Sequence, residues 1–307
     1  MKRFYLLPFM ACAAAPAFAQ DLNLGGSPGA APVPIQITAS QGITWSQNAQ
    51  TVTAYGNAKA VRGDVTVTAD ELVAHYVKKP GSGGQPAPAA QDAPASASSS
   101  SPLDQGNAQL TELDAIGHVH VYTETDNAWG DHAVYSVGQQ VLVLTGRNLK
   151  LTTRQDVVTA RDSIEYYAAD HKAIARGDAL IVASDGRSIA ANVITGYFES
   201  QTGDAAQAQN TAQNTYGLSQ GGNLKRVEAL GHVVIKTTTD TATGDSGVYL
   251  PPTGQARLGG NVHIIHGQNE LAGSDALVNM KTGVATLLAG AGGQVSGVIL
   301  PASGKTE

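Results

Sequence analysis

The chain of 307 residues contains a single cysteine, Cys12, which lies close to the N-terminus. Aromatic residues make up only 5% of the sequence, and of the four phenylalanines only Phe198 lies beyond residue 19. Once the N-terminal residues are removed, the chain has no thiol for a disulfide, for catalysis or for metal binding. Its interior must therefore be built from Val, Ile, Leu and Ala.

Long hydrophobic runs are absent after residue 19. Before that point, two basic residues precede an apolar run over residues 4–15, and a small-x-small site follows at 17–19. The run is shorter than the roughly 20 apolar residues that cross a bilayer. We interpret residues 1–19 as a signal peptide cleaved after Ala19, which predicts an exported, soluble protein. A lipoprotein acylated at Cys12 is the alternative, although the residues before it make a poor lipobox.

Positive charge is also scarce. Without the leader, 17 basic residues remain against 25 acidic ones, a net charge of −8. A nucleic-acid-binding protein needs a basic footprint, so we expect no nucleic-acid partner. The sequence contains no phosphate-binding loop, serine nucleophile motif or metal-binding signature. We therefore expect no cofactor and no enzymatic activity.

The sequence does contain a unit of about 30 residues that recurs six times, a period typical of stacked supersecondary units. Each unit has an anchor glycine followed 14 to 16 residues later by Asp or Asn, and a degenerate seventh glycine lies at Gly290. Two longer gaps between glycines hold low-complexity inserts. The anchor glycines are Gly56, Gly117, Gly146, Gly177, Gly231 and Gly260, and their partners are Asp70, Asp131, Asp162, Asn192, Asp245 and Asp275.

Residues two and four positions on either side of each glycine are almost all apolar, whereas the interleaved residues are mixed. A period of two with one apolar face is typical of a half-buried strand. A second strand follows around each Asp or Asn, so each unit contributes two short strands about a corner. We predict an all-β fold of about six two-strand repeats, with roughly 13 to 16 strands in one folded sheet.

The third unit departs from this pattern. Its apolar residues lie one place later, at Leu149 and Leu151, and its glycine-to-acid spacing is the longest at 16 residues. One inserted residue explains both observations, because a β-bulge adds one residue to a strand. We predict a bulge near Arg147–Asn148.

Composition divides the rest of the chain into segments. Residues 20–34 are expected to be a flexible N-terminal segment, 35–290 the β domain and 291–307 a C-terminal tail. Two inserts, at about 79–108 and 201–223, are rich in Pro, Ala and Ser and in Gln, Asn and Ala respectively. Both lack the apolar residues needed to fold, so we expect mobile loops.

Three runs in the first unit resemble a known family. Residues 34–39 read PIQITA, 55–58 read YGNA and 68–72 read TADEL. They resemble the P-I-x-I-x-A, x-G-N-V and x-A-D-x-L motifs of the LptA/OstA family of periplasmic lipopolysaccharide-transport proteins. Related runs return at 117–119 and 260–262, so the resemblance extends over about 35–290.

The resemblance implies an open, twisted β-jellyroll, shaped like a taco shell, that carries the acyl chains of lipid A between its two sheets. It also implies three partners besides lipopolysaccharide: an LptC-like inner-membrane protein, an LptD-like outer-membrane protein and further copies of the chain joined head to tail. The unpaired terminal strands would accept these partners by strand addition. The alternative is that the chain's own tails cover them. The candidate edge residues are Ile35, Ile37, Val284, Thr286 and Leu288.

The inward apolar residues are the candidates for lipid contact. Each buried CH₂ of an acyl chain gains about 0.8 kcal/mol, so apolar walls can hold a few chains without specific contacts. The alternative is that these residues only fill a closed core. The candidates are Val52, Val119, Val121, Leu142, Leu144, Ile164, Ile181, Ile194, Val233, Ile235, Val262 and Ile264.

Three histidines could in principle chelate zinc: His118 and His120 are two residues apart, and His132 lies on the next predicted strand. No carboxylate or cysteine is fixed near them by the sequence, so we interpret them as surface histidines and predict no metal site. The recurring aspartates could indicate a glycan-cleaving enzyme. Six copies at one structural position, with Asn192 as a substitute, favour a role at the corners instead.

The sequence therefore predicts a non-enzymatic, periplasmic lipopolysaccharide-binding bridge. In this hypothesis the apolar groove carries lipid A acyl chains from the inner to the outer membrane during outer-membrane assembly. Two alternatives remain open. One is a structural β-solenoid scaffold that binds no lipid, and the other is an exported glycan-active enzyme with catalytic acids such as Asp131 and Asp162.

Overall fold

All the regular structure in the described part of the chain is β-structure. The computed structural model describes residues 35–78, 108–154, 156–199, 224–279, 282, 284–290 and 294–298. The predicted signal peptide, the segment 20–34 and nearly all of both inserts lie outside the described residues. No helix occurs in the described part, and hence none that is long and apolar enough to cross a membrane.

Within these described ranges, eighteen strands form one antiparallel sheet. The strands are β1 (Gln36–Thr38), β2 (Gly42–Ser46), β3 (Thr51–Arg62), β4 (Val65–Lys78), β5 (Ala108–Tyr122), β6 (Asn127–Ser136), β7 (Val141–Thr145), β8 (Leu149–Thr152), β9 (Asp156–Ala160), β10 (Ser163–Tyr167), β11 (Lys172–Ala183), β12 (Ser188–Phe198), β13 (Leu224–Lys236), β14 (Asp240–Leu250), β15 (Gln255–His266), β16 (Asn269–Asn279), β17 (Val284–Leu288) and β18 (Ser296–Val298).

When strands that are interrupted at a corner are counted as one, each strand pairs with the strands that precede and follow it in the chain. Four consecutive pairs, β1/β2, β7/β8, β9/β10 and β17/β18, are single strands interrupted at a corner, because both members pair with the same neighbour. Fourteen strands result when each pair is counted once. Within the described residues the first and last strands do not pair with each other, so the sheet remains open. The prediction of an all-β, open jellyroll of two-strand repeats is confirmed.

Five of the six anchor glycines begin a bulge at a corner of the sheet, and the exception is Gly146 of the third repeat. In β3, Gly56 and Asn57 together face one residue of β4, Asp70, and their φ angles are +78° and +43°. A bulge of two residues in the left-handed region needs glycine first and a residue tolerant of that region second, such as Asn, Asp or His. The second residues with positive φ are Asn57, His118, Asp178, His232 and Asn261.

The corner acid of each repeat lies against the glycine of the next. A Cβ at Gly117 would overlap Asp70 Oδ2, and the same relation holds for four further pairs. The predicted corner role of the acids is thus observed, but the hydrogen bonds of Asp70, Asp131 and Asp245 cross to the following repeat instead of returning to their own backbone. For example, Arg147 N donates to Asp131 Oδ2 at 3.0 Å. The further pairs are Asp131 with Gly146, Asp162 with Gly177, Asn192 with Gly231 and Asp245 with Gly260.

The third repeat contains the irregularity that its sequence predicts. β7 ends at Thr145 and β8 begins at Leu149, with a three-residue bend between them. Leu149 and Leu151 are buried, so the one-place shift of the apolar residues keeps them on the inner face. The extra length of this repeat is therefore absorbed at the corner.

Every long strand bends at its corner, so that its two ends face each other. Ala173 and Ala183 stand near opposite ends of β11 yet line one cavity. Ten residues of straight strand would separate them by about 33 Å, so β11 must fold over between them. We call the side that contains Thr51–Tyr55 of β3 the first wall and the side that contains Ala58–Arg62 the second wall. The apolar cluster lies between the two walls.

Candidate functional site

Inward-facing residues are most deeply buried next to the corner and become more exposed with distance from it. The residues two places after the anchor glycines in β3, β5, β11, β13 and β15 are at most 1% exposed. The residues four places after them are more open, and Ala60, Ile181 and Ile235 are only partly buried. The interior is therefore tightly packed at the corner and looser toward the mouth, where the free ends of the two walls meet.

The largest of the cavities described here lies between the walls from β8 to β15. Its volume is about 130 Å³, and its lining is almost entirely apolar. The first wall contributes residues such as Phe198 and Leu224, and the second wall residues such as Ile181 and Ile189. An apolar cavity of this kind accepts hydrocarbon more readily than water, because water needs polar partners.

Two further apolar cavities continue this space toward the N-terminal end of the sheet. One, of about 70 Å³, shares Leu151 and Ile164 with the largest cavity. The other, of about 50 Å³, shares Val121 and Leu142 with the middle cavity and extends to Ile37 of β1. The three cavities are therefore adjacent and form a row from β1 to β15, perpendicular to the strands.

The structure divides the twelve predicted lipid-contact residues into two groups. Eight line at least one of the three cavities: Val52, Val121, Leu142, Leu144, Ile164, Ile181, Ile194 and Ile235. Four line none of them and are buried in the core: Val119, Val233, Val262 and Ile264. Val52 lies in a second, small cluster with Ala74 and Tyr76.

The mouth has a charged rim that the apolar pattern does not reveal. Arg187, Lys236 and Asp156 line the largest cavity from the second wall, and Arg62 lines the cavity nearest β1. Desolvation lowers the pKa of Arg62, an effect that Tyr135 partly opposes. The opposite rim, on the first wall, is apolar and aromatic and includes Tyr249. The mouth is therefore amphipathic across its width.

Asp156 is the most buried charged residue of this rim, at 4% exposure. Burial, together with the nearby charge of Asp185, raises its pKa to about 6 even though Arg187 opposes the shift. Its Oδ1 atom has no hydrogen-bond partner among the described residues.

A recurring four-residue turn, T-x-x-D, positions Asp156 at the tip of the second wall. In each copy the Thr N–H donates to the Asp carbonyl at 2.9 Å, and the Thr hydroxyl accepts from the Asp N–H. Thr and Asp favour such turns because their short side chains bond nearby backbone. The repeated T-x-x-D pattern could have been recognised in the sequence and would have predicted these turns. The copies are Thr123–Asp126, Thr153–Asp156 and Thr237–Asp240.

The predicted edge residues lie on or beside the terminal strands. Ile37 pairs with Ala60 and packs on the core, and Ile35, just before β1, lines the nearest cavity. At the other end, Val284, Thr286 and Leu288 are exposed on β17. β18 falls within the predicted C-terminal tail and extends that edge along β16.

The inner face is uncovered at the N-terminal edge. Ile43 and Trp45 of β2 pair with the inward residues Ala54 and Val52, yet they are 45% and 42% exposed. The Trp45 indole donates to the Tyr76 hydroxyl. The apolar interior therefore opens to solvent at this end of the sheet.

The three histidines considered for zinc have different partners. His118 Nδ1 lies 2.8 Å from Asp70 Oδ2, and that hydrogen bond, together with the carboxylate charge, raises the pKa of His118. His120 stacks on Trp129. His132 faces Asp114, a carboxylate that the sequence alone did not place beside it.

The two acids considered for catalysis are engaged at separate corners. Asp131 accepts from the backbone of the next repeat, and the Arg161 guanidinium beside Asp162 lowers the pKa of that carboxyl. Each is more than half exposed in its side chain. Their contacts belong to the corner architecture.

Comparisons with known proteins give one family match. The profile of the family described as "LptA/(LptD N-terminal domain) LPS transport protein" matches residues 36–202, more than half of the chain. No curated protein sequence matches this chain. Among solved structures, LptH from Pseudomonas aeruginosa is described as the LptA-homologous periplasmic component of a lipopolysaccharide transport device. It is 16% identical with a TM-score of 0.37, and the alignment covers 48% of this chain and 95% of that one.

Proposed function

The chain belongs to the LptA/(LptD N-terminal domain) LPS transport protein family, and on that premise we propose that it is a lipopolysaccharide-binding bridge of the periplasm. In this role it carries the acyl chains of lipid A between its walls, from the inner toward the outer membrane. The line of three apolar cavities with shared lining residues supports the proposal most strongly.

The energetics of this role need no specific lipid contacts. Each CH₂ that leaves water contributes about 0.8 kcal/mol, so an acyl chain along the cavities is held by burial alone. The largest cavity, 130 Å³, is smaller than the roughly 300–1,000 Å³ of a typical ligand site. Acyl chains therefore enter by parting the walls, which the strands connect at the corners. The packed residues near the corners, such as Val119 and Val233, act as the hinge of this movement.

The mouth suits an amphiphile. An acyl chain inserted from the open side leaves its polar head beside the second-wall rim, where Arg62 and Lys236 offer positive charge and Arg187 is paired with Asp185. The aromatic rim on the first wall covers the upper part of the chain. This arrangement keeps the head group in water while the hydrocarbon is buried.

Both ends of the sheet are suited to partners. β1/β2 and β17/β18 each leave one edge without a partner strand among the described residues, and such edges can accept a strand from another protein. An LptC-like inner-membrane protein and an LptD-like outer-membrane protein would occupy the two ends. Head-to-tail copies of the chain would extend the path between them.

Photocrosslinking tests lipid passage through the interior. A photoreactive residue in place of Ile235, which lines the largest cavity, is expected to crosslink to lipopolysaccharide in cells that assemble an outer membrane. The matched control is Leu230 on the same strand, whose side chain is 64% exposed. Equal labelling at both positions, or none at Ile235, would contradict the proposal and favour a scaffold that binds no lipid.

A further inference from the structure

Four potential metal ligands meet on the outer face of the first wall: His75 of β4, Glu112 and Asp114 of β5, and His132 of β6. In the described part of the chain, His75, Glu112 and Asp114 form a group whose ligand atoms all lie within 4.8 Å of one another. His132 adds a second imidazole beside the same carboxylate. Asp114 also contributes to the lining of the cavity nearest β1, whereas His75, Glu112 and His132 line none of the three cavities.

Strand pairing brings the four residues together. His75 lies directly opposite Glu112, and Glu112 and Asp114 share a face because they are two residues apart. His132 is the diagonal neighbour of Asp114 on β6, within reach of a long side chain. All four point away from the interior, since the intervening Ala115 is buried.

The distances match a metal centre. His75 Nε2 lies 3.0 Å from Asp114 Oδ2, and His132 Nε2 lies 3.6 Å from Asp114 Oδ1. Two ligands bound to Zn²⁺ at about 2.0–2.1 Å in tetrahedral geometry are about 3.3 Å apart, a value between the two observed distances. Asp114 turns one oxygen toward each imidazole. His132 lies outside the group of three, so its ring must turn toward an ion bound by His75, Glu112 and Asp114 to become the fourth ligand.

The chemistry of the four ligands selects the ion. Two neutral imidazoles and two carboxylates carry a charge of −2, which balances a divalent cation. Imidazole suits Zn²⁺, whereas Ca²⁺ and Mg²⁺ prefer oxygen ligands alone. We propose that His75, Glu112, Asp114 and His132 bind one Zn²⁺ ion, which joins β4, β5 and β6 on the outer face of the fold. The His75 and His132 side chains are 41% and 43% exposed, so the ion can bind without unfolding.

Other histidine–acid pairs of the protein provide matched controls. His266 Nδ1 lies 2.5 Å from Asp240 Oδ1, and His263 Nδ1 lies 3.1 Å from Glu270 Oε1. Neither pair belongs to a group of three such ligands among the described residues. The proposed centre differs from them in offering two imidazoles and two carboxylates.

The test is calorimetric titration of Zn²⁺ into the metal-free, full-length protein. One equivalent is expected to bind, and His75→Ala and His132→Ala are each expected to weaken binding by about tenfold or more. His266→Ala should bind as the wild type does. Zn²⁺ should also raise the Tm of the wild type and of His266→Ala but not of His132→Ala, while excess Mg²⁺ should not compete.

Several results would overturn the proposal. They are the absence of stoichiometric binding, unchanged affinity in both histidine variants, and loss of binding in His266→Ala. Asp114→Asn, which keeps the shape of the side chain, is the second test variant. Its circular dichroism should match the wild type while its Zn²⁺ affinity falls, so an effect on folding is separated from loss of the ligand. A folded Asp114→Asn protein that retains full affinity would exclude the centre.

Discussion

At Gly117 two constraints coincide. The backbone has a φ of +78°, and the space in which a Cβ would stand is occupied by the Asp70 carboxylate. Glycine alone satisfies both, because it tolerates the left-handed region and has no side chain. The recurrence of Gly and Asp in the sequence therefore reflects a contact between the acid of one repeat and the glycine of the next. The spacing within one unit identified the two residues but not the fact that each acid covers the glycine of the next unit.

Substitution at this contact is expected to be costly. Gly117→Ala should lower the free energy of unfolding by about 2–4 kcal/mol, from left-handed strain and from overlap with Asp70. Adding Asp70→Ala should recover the part due to overlap. Gly138→Ala is the control, since Gly138 has no positive φ and no atom within 4 Å of its Cβ position. Urea denaturation measures all four proteins, and equal losses at Gly117 and Gly138 would refute the contact.

Asp156 makes the stability of the protein depend on pH. Its folded pKa of about 6 lies above the ordinary value of 3.8, so the folded state holds the proton more tightly than the unfolded state. The contribution of this residue to stability is therefore greatest below about pH 4 and falls as the pH rises through 6.

Asp156→Asn removes this dependence. The variant should be more stable than the wild type by about 1–2 kcal/mol above pH 7, after allowance for solvent screening, and similar to it near pH 4. Thermal unfolding across pH 4–8 gives the comparison. Asp170→Asn, in an exposed ion pair with Lys172, serves as the control and should follow the wild type. A constant offset between Asp156→Asn and the wild type at every pH would contradict the assignment.

Among the elements, alternation in the sequence predicted the inner faces of the long strands. It did not predict depth, because a period of two identifies the face of a residue but not its distance from the corner. Val233 and Ile235 show the difference: both point inward on β13, but only Ile235 lines a cavity. The charged rim escaped notice for a related reason, since Arg187 and Lys236 lie at strand ends where the apolar pattern stops.

The sequence alone also could not predict the cluster of His75, Glu112, Asp114 and His132. A low-complexity insert of about 30 residues separates β4 from β5, and loop length of that kind does not specify strand register. Without the register, His75 cannot be placed opposite Glu112. The three histidines considered from the sequence, and interpreted there as surface residues, were compared through their spacing along β5 and the next predicted strand, whereas the observed cluster depends on the register between β4, β5 and β6.

The terminal strands offer a test at the level of the element. Proline in place of Ile37 of β1 or Thr286 of β17 removes a backbone donor from an outer strand. Each variant is expected to weaken head-to-tail assembly while the β-content of the monomer changes little. Sedimentation velocity over a concentration series, together with circular dichroism, measures both quantities. Alanine at the same positions keeps the donor and should assemble as the wild type does. Unchanged assembly in both proline variants would exclude strand addition.

At the scale of the whole molecule, the number of strands favours head-to-tail growth. Fourteen strands at about 4.8 Å spacing make a sheet about 60 Å long. Because fourteen is even, β1/β2 and β17/β18 run in opposite directions between the walls. A second copy placed end to end would therefore continue the antiparallel alternation, with its own walls and cavities in line with those of the first.

Pairing only between chain neighbours also bears on how the polypeptide acquires its structure. In the described part of the chain, each strand pairs with strands that are close to it in sequence. Contacts therefore form over short sequence separations, and such contacts favour rapid folding. A chain released from its N-terminus onward can add each hairpin to an edge that already exists, as in other repeat proteins. Each of the two long inserts separates one pair of neighbouring strands, β4 and β5 or β12 and β13, and so lengthens the sequence separation at that one pairing only.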